Sequence, residues 1–204
     1  MDSTHPDSAR PEGVGGLLRG CLNEAERVDL ALYGAIARTP TPVLDTGMAR
    51  LARAANYSRL WVFFAAALAV TGGRSGRRAA AYGLASVAVT SAVANLAVKP
   101  LGRRRRPDRV GDEVPVARHV RMPGSRSFPS GHAASAFAFS AGVGRVLPAV
   151  AVPLHLLAAV VGYSRVHTGV HYPGDVIAGA LMGTTTAQLT THLLDARRAG
   201  GSRT

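Results

Sequence analysis

The feature that most constrains this chain is a run of twenty residues without a charged side chain, at positions 79–98. A helix of that length crosses the hydrocarbon core of a bilayer, so the run predicts a membrane-spanning segment. Further apolar stretches, shorter or interrupted, lie at residues 60–72, 132–147, 148–163 and 176–194. The sequence therefore predicts an all-α integral membrane helix bundle with about five spanning helices.

The segments outside these stretches are polar or amphipathic. Residues 1–15 are polar and rich in Pro and Gly, which predicts a disordered tail. Residues 16–57 mix apolar and charged positions around a proline-containing break, which predicts two amphipathic helices. Such a pair lies either on the membrane interface or packed against the bundle. We expect residues 58–195 to form one transmembrane domain and residues 196–204 to form a polar tail.

The charge balance indicates an anionic partner. The formal net charge is +12, with 24 Lys and Arg against 12 Asp and Glu. Nucleic acid, acidic lipid and phosphorylated small molecules would all suit this balance. Several segments of bilayer-spanning length argue against nucleic acid and favour the lipid surface. Cys21 is the only cysteine, so neither a disulfide framework nor a cysteine-based metal site is expected.

Two charged loops separate the apolar segments, at residues 99–131 and 164–175. Two predicted spans lie between them, so both loops emerge on the same side of the membrane and can form one site. A loop as long as the first is usually functional or disordered. Ionisable groups beside spanning segments are costly and therefore indicate a functional site.

The first loop begins with Lys99, the only lysine in a chain that otherwise uses arginine for every basic side chain. An ammonium is a compact point charge, whereas a guanidinium is a planar fork that suits phosphate. Together with Arg106, and with Arg165 of the second loop, Lys99 can neutralise a phosphoryl group and the charge that develops during its transfer. Taken alone, the arginine run at 103–106 is more typical of a cluster that contacts lipid head groups.

Residues 127–132 (SFPSGH) predict a turn followed by the start of an apolar helix. Backbone N–H groups at a helix start bind anions, and the hydroxyl of Ser130 can add a hydrogen bond. His132 would face the same anion as an acid or a base. An alternative is Ser130 as nucleophile with His132 as its base, which the lack of a third orienting group nearby disfavours.

In the second loop, His171 and Asp175 are four residues apart, so one helical turn can bring them together. Asp175 can then fix the tautomer of His171 and stabilise positive charge on it, as the carboxylate of a catalytic triad does. A metal site is the competing interpretation, because His167, His171 and Asp175 would share one face of a continuous helix. The glycines and the proline between them oppose such a helix, and the nearby cations disfavour a divalent metal.

Three motifs occur in order along the two loops: Lys99-x6-Arg106-Pro107, Pro129-Ser130-Gly131-His132 and Ser164-Arg165-x5-His171-x3-Asp175. They resemble the three-part signature of the type 2 phosphatidic acid phosphatase superfamily, which also includes bacterial acid phosphatases and vanadium haloperoxidases. The motifs cover residues 99–175 and do not depart from that signature. The apolar layout extends the resemblance to roughly residues 60–194.

The resemblance implies a role for each motif residue. His171 would attack phosphorus and form a phosphohistidine, Asp175 would orient it, and His132 would protonate the leaving group and then activate water. The residues that would hold the phosphoryl oxygens are Lys99, Arg106, Ser130, Gly131 and Arg165. No metal and no other cofactor is implied, because these cations supply the electrostatic stabilisation.

Together these observations predict a metal-independent membrane phosphatase that hydrolyses a phosphomonoester or diphosphate on a polyprenyl-linked lipid or a phospholipid. One alternative is a vanadate-dependent haloperoxidase-like enzyme, disfavoured because those relatives are larger and soluble. Another is a non-catalytic protein that binds or transports lipid phosphates, disfavoured by the intact motifs. The Ala- and Arg-rich composition is typical of a high-GC bacterium, where small family members resemble decaprenylphosphoryl-phosphoribose phosphatases.

We expect a multi-pass protein of the cell membrane whose partners are the lipid phosphate substrate and the membrane, without nucleic acid. Basic residues are more numerous on the side of the two loops, which by the positive-inside rule would place the site in the cytoplasm. Substrate-binding loops are basic for reasons of their own, however. The sequence therefore leaves the membrane side, the lipid and the oligomeric state open.

Overall fold

The structure, a computed structural model that describes residues 14–201, confirms the predicted all-α architecture. Its longer helices follow in order: α1 (Val14–Arg38), α2 (Pro42–Ala54), α3 (Arg59–Thr71), α4 (Gly73–Leu101), α5 (Gly131–Gly144), α6 (Pro148–His167) and α7 (Pro173–Gly201). The predicted N-terminal tail falls outside the described residues, apart from Val14 and Gly15, which begin α1. The predicted C-terminal tail begins at residue 196, and α7 continues through it to Gly201.

The two amphipathic helices predicted for the N-terminal region are α1 and α2. A proline at the start of α2, where no intrahelical N–H donor is needed, fixes the break between them. The buried residues of α1 are Tyr33, Gly34 and Ala37, whereas its leucines are exposed. α1 therefore keeps an apolar face that no described residue covers.

Arg118, in the loop between α4 and α5, fastens α1 and α2 to the bundle. Its side chain is fully buried. It donates to Oδ1 of Asp45 in α2 at 2.8 Å and to the carbonyl oxygens of Ile36 at 3.1 Å and Thr39 at 2.6 Å. These carbonyls belong to the C-terminal end of α1, where the helix dipole and the unpaired acceptors favour a cation. One arginine thus holds the α1–α2 corner against the long charged loop.

Each of the five apolar stretches coincides with one helix, from α3 to α7. By length and composition, two of the described helices can cross a membrane, Gly73–Leu101 and Pro148–His167. α3 and α5 have 13 and 14 residues, and a helix of that length is about 20 Å long, short of the ~30 Å hydrocarbon core. Residues 74–78 form the first turns of α4, because the break between α3 and α4 is confined to Gly72 and Gly73.

α5 is the central helix, and most of its side chains are buried between α4, α6 and α7. It consists largely of small residues, with Phe139 packing against Trp61 of α3 at 5.5 Å between ring centroids. The outward faces of the surrounding helices carry exposed apolar side chains, such as Phe63, Leu96 and Leu156. Water-soluble proteins rarely expose so much apolar surface, so the bundle is that of a membrane protein.

Gly179 and Gly183 bring α7 into direct backbone contact with α5. A Cβ atom on Gly179 would overlap the carbonyl oxygen of Ser130, and one on Gly183 would overlap that of Ala134. The small-xxx-small spacing of these two glycines therefore serves helix packing. The close approach also holds the start of α5 beside the start of α7.

The two charged loops meet at one end of the bundle, as the sequence predicts. The backbone N–H of Ser130 donates to the carbonyl oxygen of Asp175 at 2.9 Å. Within the first loop, the N–H of Ser127 donates to the carbonyl oxygen of Arg104 at 3.1 Å. The first turns of α5 and α7 and the extended arginine run therefore share one small volume.

Gly183→Ala should destabilise the protein by about 1–3 kcal/mol, the usual cost of overpacking a close contact. Gly200→Ala in the same helix is the matched control, because a Cβ there meets nothing within 4 Å and alanine gains up to about 1 kcal/mol in helix propensity. Thermal unfolding of both purified variants in detergent measures the difference. Equal midpoints would show that the α5–α7 contact is not as close as described.

Candidate active site

His171 lies in the connection between α6 and α7, and Asp175 lies in the first turn of α7. Nδ1 of His171 is 3.5 Å from Oδ2 of Asp175, and both side chains are buried. The connection turns at Gly169, whose φ of +65° is in the left-handed region. The N–H groups of Val170 and His171 then both donate to the carbonyl oxygen of Arg165, at 3.0 and 3.1 Å. The ring is thereby held beside the start of α7.

The carboxylate of Asp175 is bonded on both oxygens. Oδ2 accepts from the hydroxyl of Ser127 at 2.5 Å and from the N–H of Tyr172 at 3.0 Å. Oδ1 accepts from Nη1 of Arg104 at 3.2 Å. Ser127 Oγ is also 3.4 Å from Nδ1 of His171. These bonds direct Oδ2 at the imidazole.

Arg106 lies on the opposite side of the imidazole of His171. Its Nη1 is 3.2 Å from Nε2 of the ring and donates to the carbonyl oxygen of Val170 at 2.9 Å. Its Nε and Nη2 donate to the carbonyl oxygens of Ser125 at 2.8 Å and Arg126 at 3.2 Å. Carbonyl dipoles thus fix this guanidinium, and no ion pair with a carboxylate forms among the described residues.

Burial lowers the pKa of His171 to about 4, from an ordinary value of 6.5. The hydrogen bond to Asp175 opposes this shift, while the positive charges of Arg106 and Arg165 reinforce it. His171 is therefore neutral at physiological pH, which is the form in which an imidazole nitrogen attacks. Burial also lowers the pKa of Arg106, but a guanidinium stays protonated in a protein.

Arg165 reaches the site from the end of α6 and is almost fully buried. Its Nη1 donates to the carbonyl oxygen of Ala52 in α2 at 3.2 Å. Its Nε, also buried, has no acceptor among the described residues. Buried donors without a partner are rare in folded proteins and call for a functional explanation.

Lys99 lies at the end of α4, after the π-helical segment Val93–Val98. Such segments are frequent at functional sites, because they shift the register of the residues that follow. The ammonium donates to Oδ1 of Asn95 at 3.1 Å. A Cβ atom on Gly131 would lie 3.6 Å from Nζ of Lys99. The charge therefore stands next to the first residues of α5.

Ser130 is the N-cap of α5, and its Oγ accepts from the N–H of Ala133 at 3.4 Å. The N–H groups of Gly131 and His132 come first in the helix, so they have no intrahelical acceptor and can bind an anion. Nε2 of His132 is 2.9 Å from Oδ1 of Asn56. No hydrogen bond joins Ser130 to His132 among the described residues, so the geometry does not support the serine-nucleophile alternative.

A pocket of about 360 Å³ opens beside Lys99, Gly131 and His132. Its rim includes the turn between α2 and α3, where Tyr57 and Ser58 both have positive φ, 55° and 56°. For residues other than glycine, this conformation costs on the order of 1 kcal/mol each and typically occurs at functional sites. The same turn places Asn56 against His132.

His167 is directed away from the other histidines. Its Nε2 is 2.9 Å from Oγ1 of Thr41 and 3.4 Å from Oδ1 of Asp45. Because α6 ends at His167 and α7 begins at Pro173, the three residues of the competing metal hypothesis do not share a helix. Between residues 14 and 201, no group of three or more His, Cys, Asp or Glu residues is arranged to hold a metal ion.

The sequence patterns do not identify four side chains that contact the motif residues: Asn56, Asn95, Arg104 and Ser127. Alternation along the chain could have identified Arg104. The chain is extended after Gly102, so side chains alternate in direction, and Arg104 lies on the same side as Arg106. Arg104 and Arg106 turn inward, and their two neighbouring arginines are exposed. No local pattern marks Asn56, which reaches His132 from a turn far away in sequence.

The chain matches known proteins over this region. The sequence profile of the PAP2 superfamily matches residues 79–199. A decaprenylphosphoryl-5-phosphoribose phosphatase of Mycolicibacterium smegmatis is 31% identical over 164 residues, which cover 78% of this chain and 84% of that protein. The Mycobacterium tuberculosis protein of the same name is 42% identical over 101 residues, 48% of this chain and 51% of that protein. This chain thus spans about half the length of the latter relative.

The fold is similar to the crystal structure of the first transmembrane PAP2 type phosphatidylglycerolphosphate phosphatase from Bacillus subtilis. The TM-score is 0.65 at 24% identity, over 85% of this chain and 88% of that one, which shows a shared fold. The profile match covers more than half of this chain, and the similarity to the Mycolicibacterium smegmatis protein extends over most of both chains. This chain belongs to the PAP2 superfamily.

Proposed function

We propose that this protein is a metal-independent membrane phosphatase that cleaves a lipid phosphate through a phosphohistidine at His171. The observation that carries the proposal is the orientation of that imidazole, whose two nitrogens face groups of opposite charge. Nδ1 faces the carboxylate of Asp175, while Nε2 lies 3.2 Å from the guanidinium of Arg106. A histidine nucleophile needs this arrangement, with an acceptor behind the ring and positive charge where the phosphoryl group binds.

The reaction has two steps. In the first, Nε2 of His171 attacks phosphorus, the P–N bond forms, and the P–O bond to the lipid breaks. The imidazolium form of His132, supported by the bound phosphate anion, gives its proton to the leaving oxygen and becomes neutral. Asp175 stabilises the positive charge that forms on the ring. In the second, His132 takes a proton from water, whose oxygen attacks phosphorus. The P–N bond breaks, inorganic phosphate leaves, and His171 is again neutral.

The groups that hold the phosphoryl oxygens converge from four segments of the chain: Lys99, Arg106, Arg165, the hydroxyl of Ser130 and the N–H of Gly131. Within the part of the chain that the structure describes, Nε of Arg165 has no acceptor, and the N–H of Gly131 has none inside its own helix. A transferring phosphoryl group carries its charge on its equatorial oxygens, so fixed cations stabilise the transition state directly. They perform here the electrostatic role that a metal ion has in other phosphatases.

The position of the site suits a substrate anchored in a bilayer. The site lies at one end of a bundle with an apolar outer surface, next to the uncovered face of α1. We infer that residues 58–195 form the transmembrane catalytic domain of a multi-pass cell-membrane protein, and that α1 and α2 lie at the interface. A phosphate at head-group depth then meets the site while the chains of the lipid stay in the membrane.

We further propose that the substrate carries its phosphate on a hydroxyl-rich group, such as a sugar attached to a lipid. The pocket beside Lys99 is lined partly by Ser58, Ser91 and Ser135. None of these three hydroxyls forms a hydrogen bond within the described part of the protein. Sugar hydroxyls need such partners, whereas acyl chains do not. The name of the decaprenylphosphoryl-5-phosphoribose phosphatases describes a substrate of this kind.

Loss of the nucleophile should abolish turnover, and loss of the acid–base group should trap the intermediate. His171→Ala should lower kcat by at least about 10³-fold. With a p-nitrophenyl phosphate, whose leaving group needs little protonation, His132→Ala should retain phosphate on the protein as an acid-labile, alkali-stable adduct. Intact-mass analysis after an alkaline quench detects it. His192→Ala, exposed on α7, is the control that should behave as wild type, and normal turnover by His171→Ala would refute the mechanism.

The protonation of His171 gives a second, independent check. Because burial is the main cause of the lowered pKa, the ring should titrate at about pH 4 and stay neutral above it. Asp175→Asn removes a hydrogen bond that raises this pKa, so the titration should move lower still. The ¹³Cε1 resonance of His171 is assigned as the one that disappears in His171→Ala. Its chemical shift as a function of pH, measured without substrate, gives the midpoint of the titration. A midpoint near 6.5 would mean that the ring is solvated and not placed as described.

The substrate proposal predicts a selective defect. Ser58→Ala, Ser91→Ala and Ser135→Ala combined should lower kcat/KM for a lipid-linked sugar phosphate by ~10-fold or more, since each hydrogen bond contributes about 1 kcal/mol. The rate with phosphatidic acid should stay unchanged. Ser75→Ala, exposed near the start of α4, is the control. An equal loss on both lipids would contradict recognition of hydroxyl groups.

A further inference from the structure

The two inward arginines of the extended run bind opposite ends of the His171–Asp175 pair. Arg106 contacts the imidazole at Nε2, where phosphorus would be attacked. Arg104 contacts Asp175, with Nη1 3.2 Å from Oδ1. Among the described residues, Arg104 is the only side chain that bonds this oxygen, while Oδ2 is bonded by Ser127 and Tyr172. Arg104 therefore decides how the carboxylate plane is rotated relative to the imidazole.

Arg104 also binds a second carboxylate, that of Asp29 in α1. Its Nη2 is 2.6 Å from Oδ2 of Asp29. The other oxygen of Asp29 accepts from the N–H of Gly174, the second residue of α7, at 2.6 Å. A Cβ atom on Gly174 would come within 3.0 Å of that carboxylate, so a glycine fits the contact. Asp29 thus caps, from another helix, the helix on which Asp175 lies.

Contacts of aromatic rings also join α1 to Arg104 and to Tyr172, the residue after His171. The guanidinium carbon of Arg104 lies 4.1 Å from the ring centre of Tyr172. Tyr172 in turn packs edge-on against Tyr33 of α1, with 5.2 Å between ring centroids. Cation–π and edge-to-face contacts of this kind are directional. α1 therefore contacts the segment around His171 and Asp175 at two points, Asp29 on Gly174 and Tyr33 on Tyr172.

We propose that Asp29 and Arg104 are positioning residues through which α1 sets the orientation and the charge of Asp175. The inference rests on the proposed roles of His171 and Asp175. Arg104 fixes Oδ1 so that Oδ2 faces the imidazole. Asp29 holds Arg104 closely and so limits how far it neutralises Asp175.

The charge balance explains why both residues are needed. A carboxylate paired fully with arginine is a weaker acceptor for the imidazole N–H and stabilises a cationic phosphohistidine less well. Arg104 is closer to Asp29, at 2.6 Å, than to Asp175, at 3.2 Å, so its charge is shared unequally. With Asp29 present, Asp175 is held in place and keeps enough negative charge to support His171.

Kinetics of the full chain in lipid nanodiscs test the positioning role. Arg104→Gln should lower kcat by about 10–100-fold, the usual effect of misplacing a catalytic group by about an ångström. KM should change less than about 3-fold, because Arg104 is neither among the groups proposed to hold the phosphoryl oxygens nor in the lining of the pocket beside Lys99. Arg105→Gln, exposed in the same run, should leave both constants unchanged. Asp29→Asn should lower kcat as well, and the double variant should lose less than the product of the single losses, because the two residues act through one contact.

The titration of His171 separates positioning from a loss of structure. The charged or titratable groups that face its ring are Asp175, Arg106, Arg165 and His132, and all of them remain in these variants. Arg104→Gln removes a cation and should raise the pKa of His171, whereas Asp29→Asn removes an anion and should lower it. Loosened packing would admit water and raise this pKa in both. The ¹³Cε1 resonance of His171 measures the direction in each.

Two results would overturn the inference: equal kcat values for Arg104→Gln and Arg105→Gln, or shifts of the His171 titration in the same direction in both charge variants. If Arg104→Gln does not fold, the same two measurements, kcat and the pKa of His171, are made on Asp29→Asn and Arg104→Lys. The lysine keeps the charge but cannot bridge both carboxylates. Arg104→Lys should therefore return the pKa of His171 to its wild-type value and recover only part of kcat. An active His171→Ala would instead refute the proposed function. An inactive His171→Ala beside a normal Arg104→Gln refutes only the role of Arg104.

Discussion

The site depends on keeping one carboxylate, that of Asp175, both buried and ionised. A charge removed from water costs several kcal/mol unless hydrogen bonds and opposite charge replace the lost solvent. Here the donors are Ser127, Tyr172 and Arg104, and the backbone carbonyl of Asp175 also accepts from Ser130. These partners come from both charged loops. An ionised Asp175 therefore forms only when the loops and the first turn of α7 have assembled, so the geometry of the pair is a property of the whole end of the bundle.

The cations of the site are in the opposite situation. Arg106 is held by carbonyl oxygens, Arg165 keeps a buried donor without an acceptor, and neither forms an ion pair among the described residues. Mutual repulsion of these charges opposes folding, and an anion that binds between them relieves it. Such a site trades stability for binding, as functional sites commonly do. Rigidity must then come from elsewhere, and the close α5–α7 packing at Gly179 and Gly183 provides it directly beneath the site.

The sequence predicts the parts of this protein that local patterns encode. Helix order follows from apolar runs, and the meeting of the charged loops follows from counting the helices between them. Local sequence patterns do not identify a residue whose partner in the site is distant along the chain. Asn56 reaches His132 from a strained turn, and Asp29 reaches Arg104 from a helix that composition alone marks only as amphipathic. The apolar stretch at 60–72 already indicates that α3 is short, whereas the end of α5 at Gly144 has no such signal, because hydropathy registers apolar residues and does not register where a helix ends.

The interfacial position that we propose for α1 would link the chemistry to the membrane surface. One part of this helix contacts Arg104 through Asp29 and Tyr172 through Tyr33, while Leu17, Leu18 and Leu22 stay exposed. An amphipathic helix with an uncovered apolar face is stable where lipid covers that face. If α1 leaves the surface, Arg104 loses Asp29 and its whole charge falls on Asp175, the same change that Asp29→Asn makes. The contact would then make an efficient nucleophile conditional on a bilayer at the site, which is also where a lipid phosphate is found.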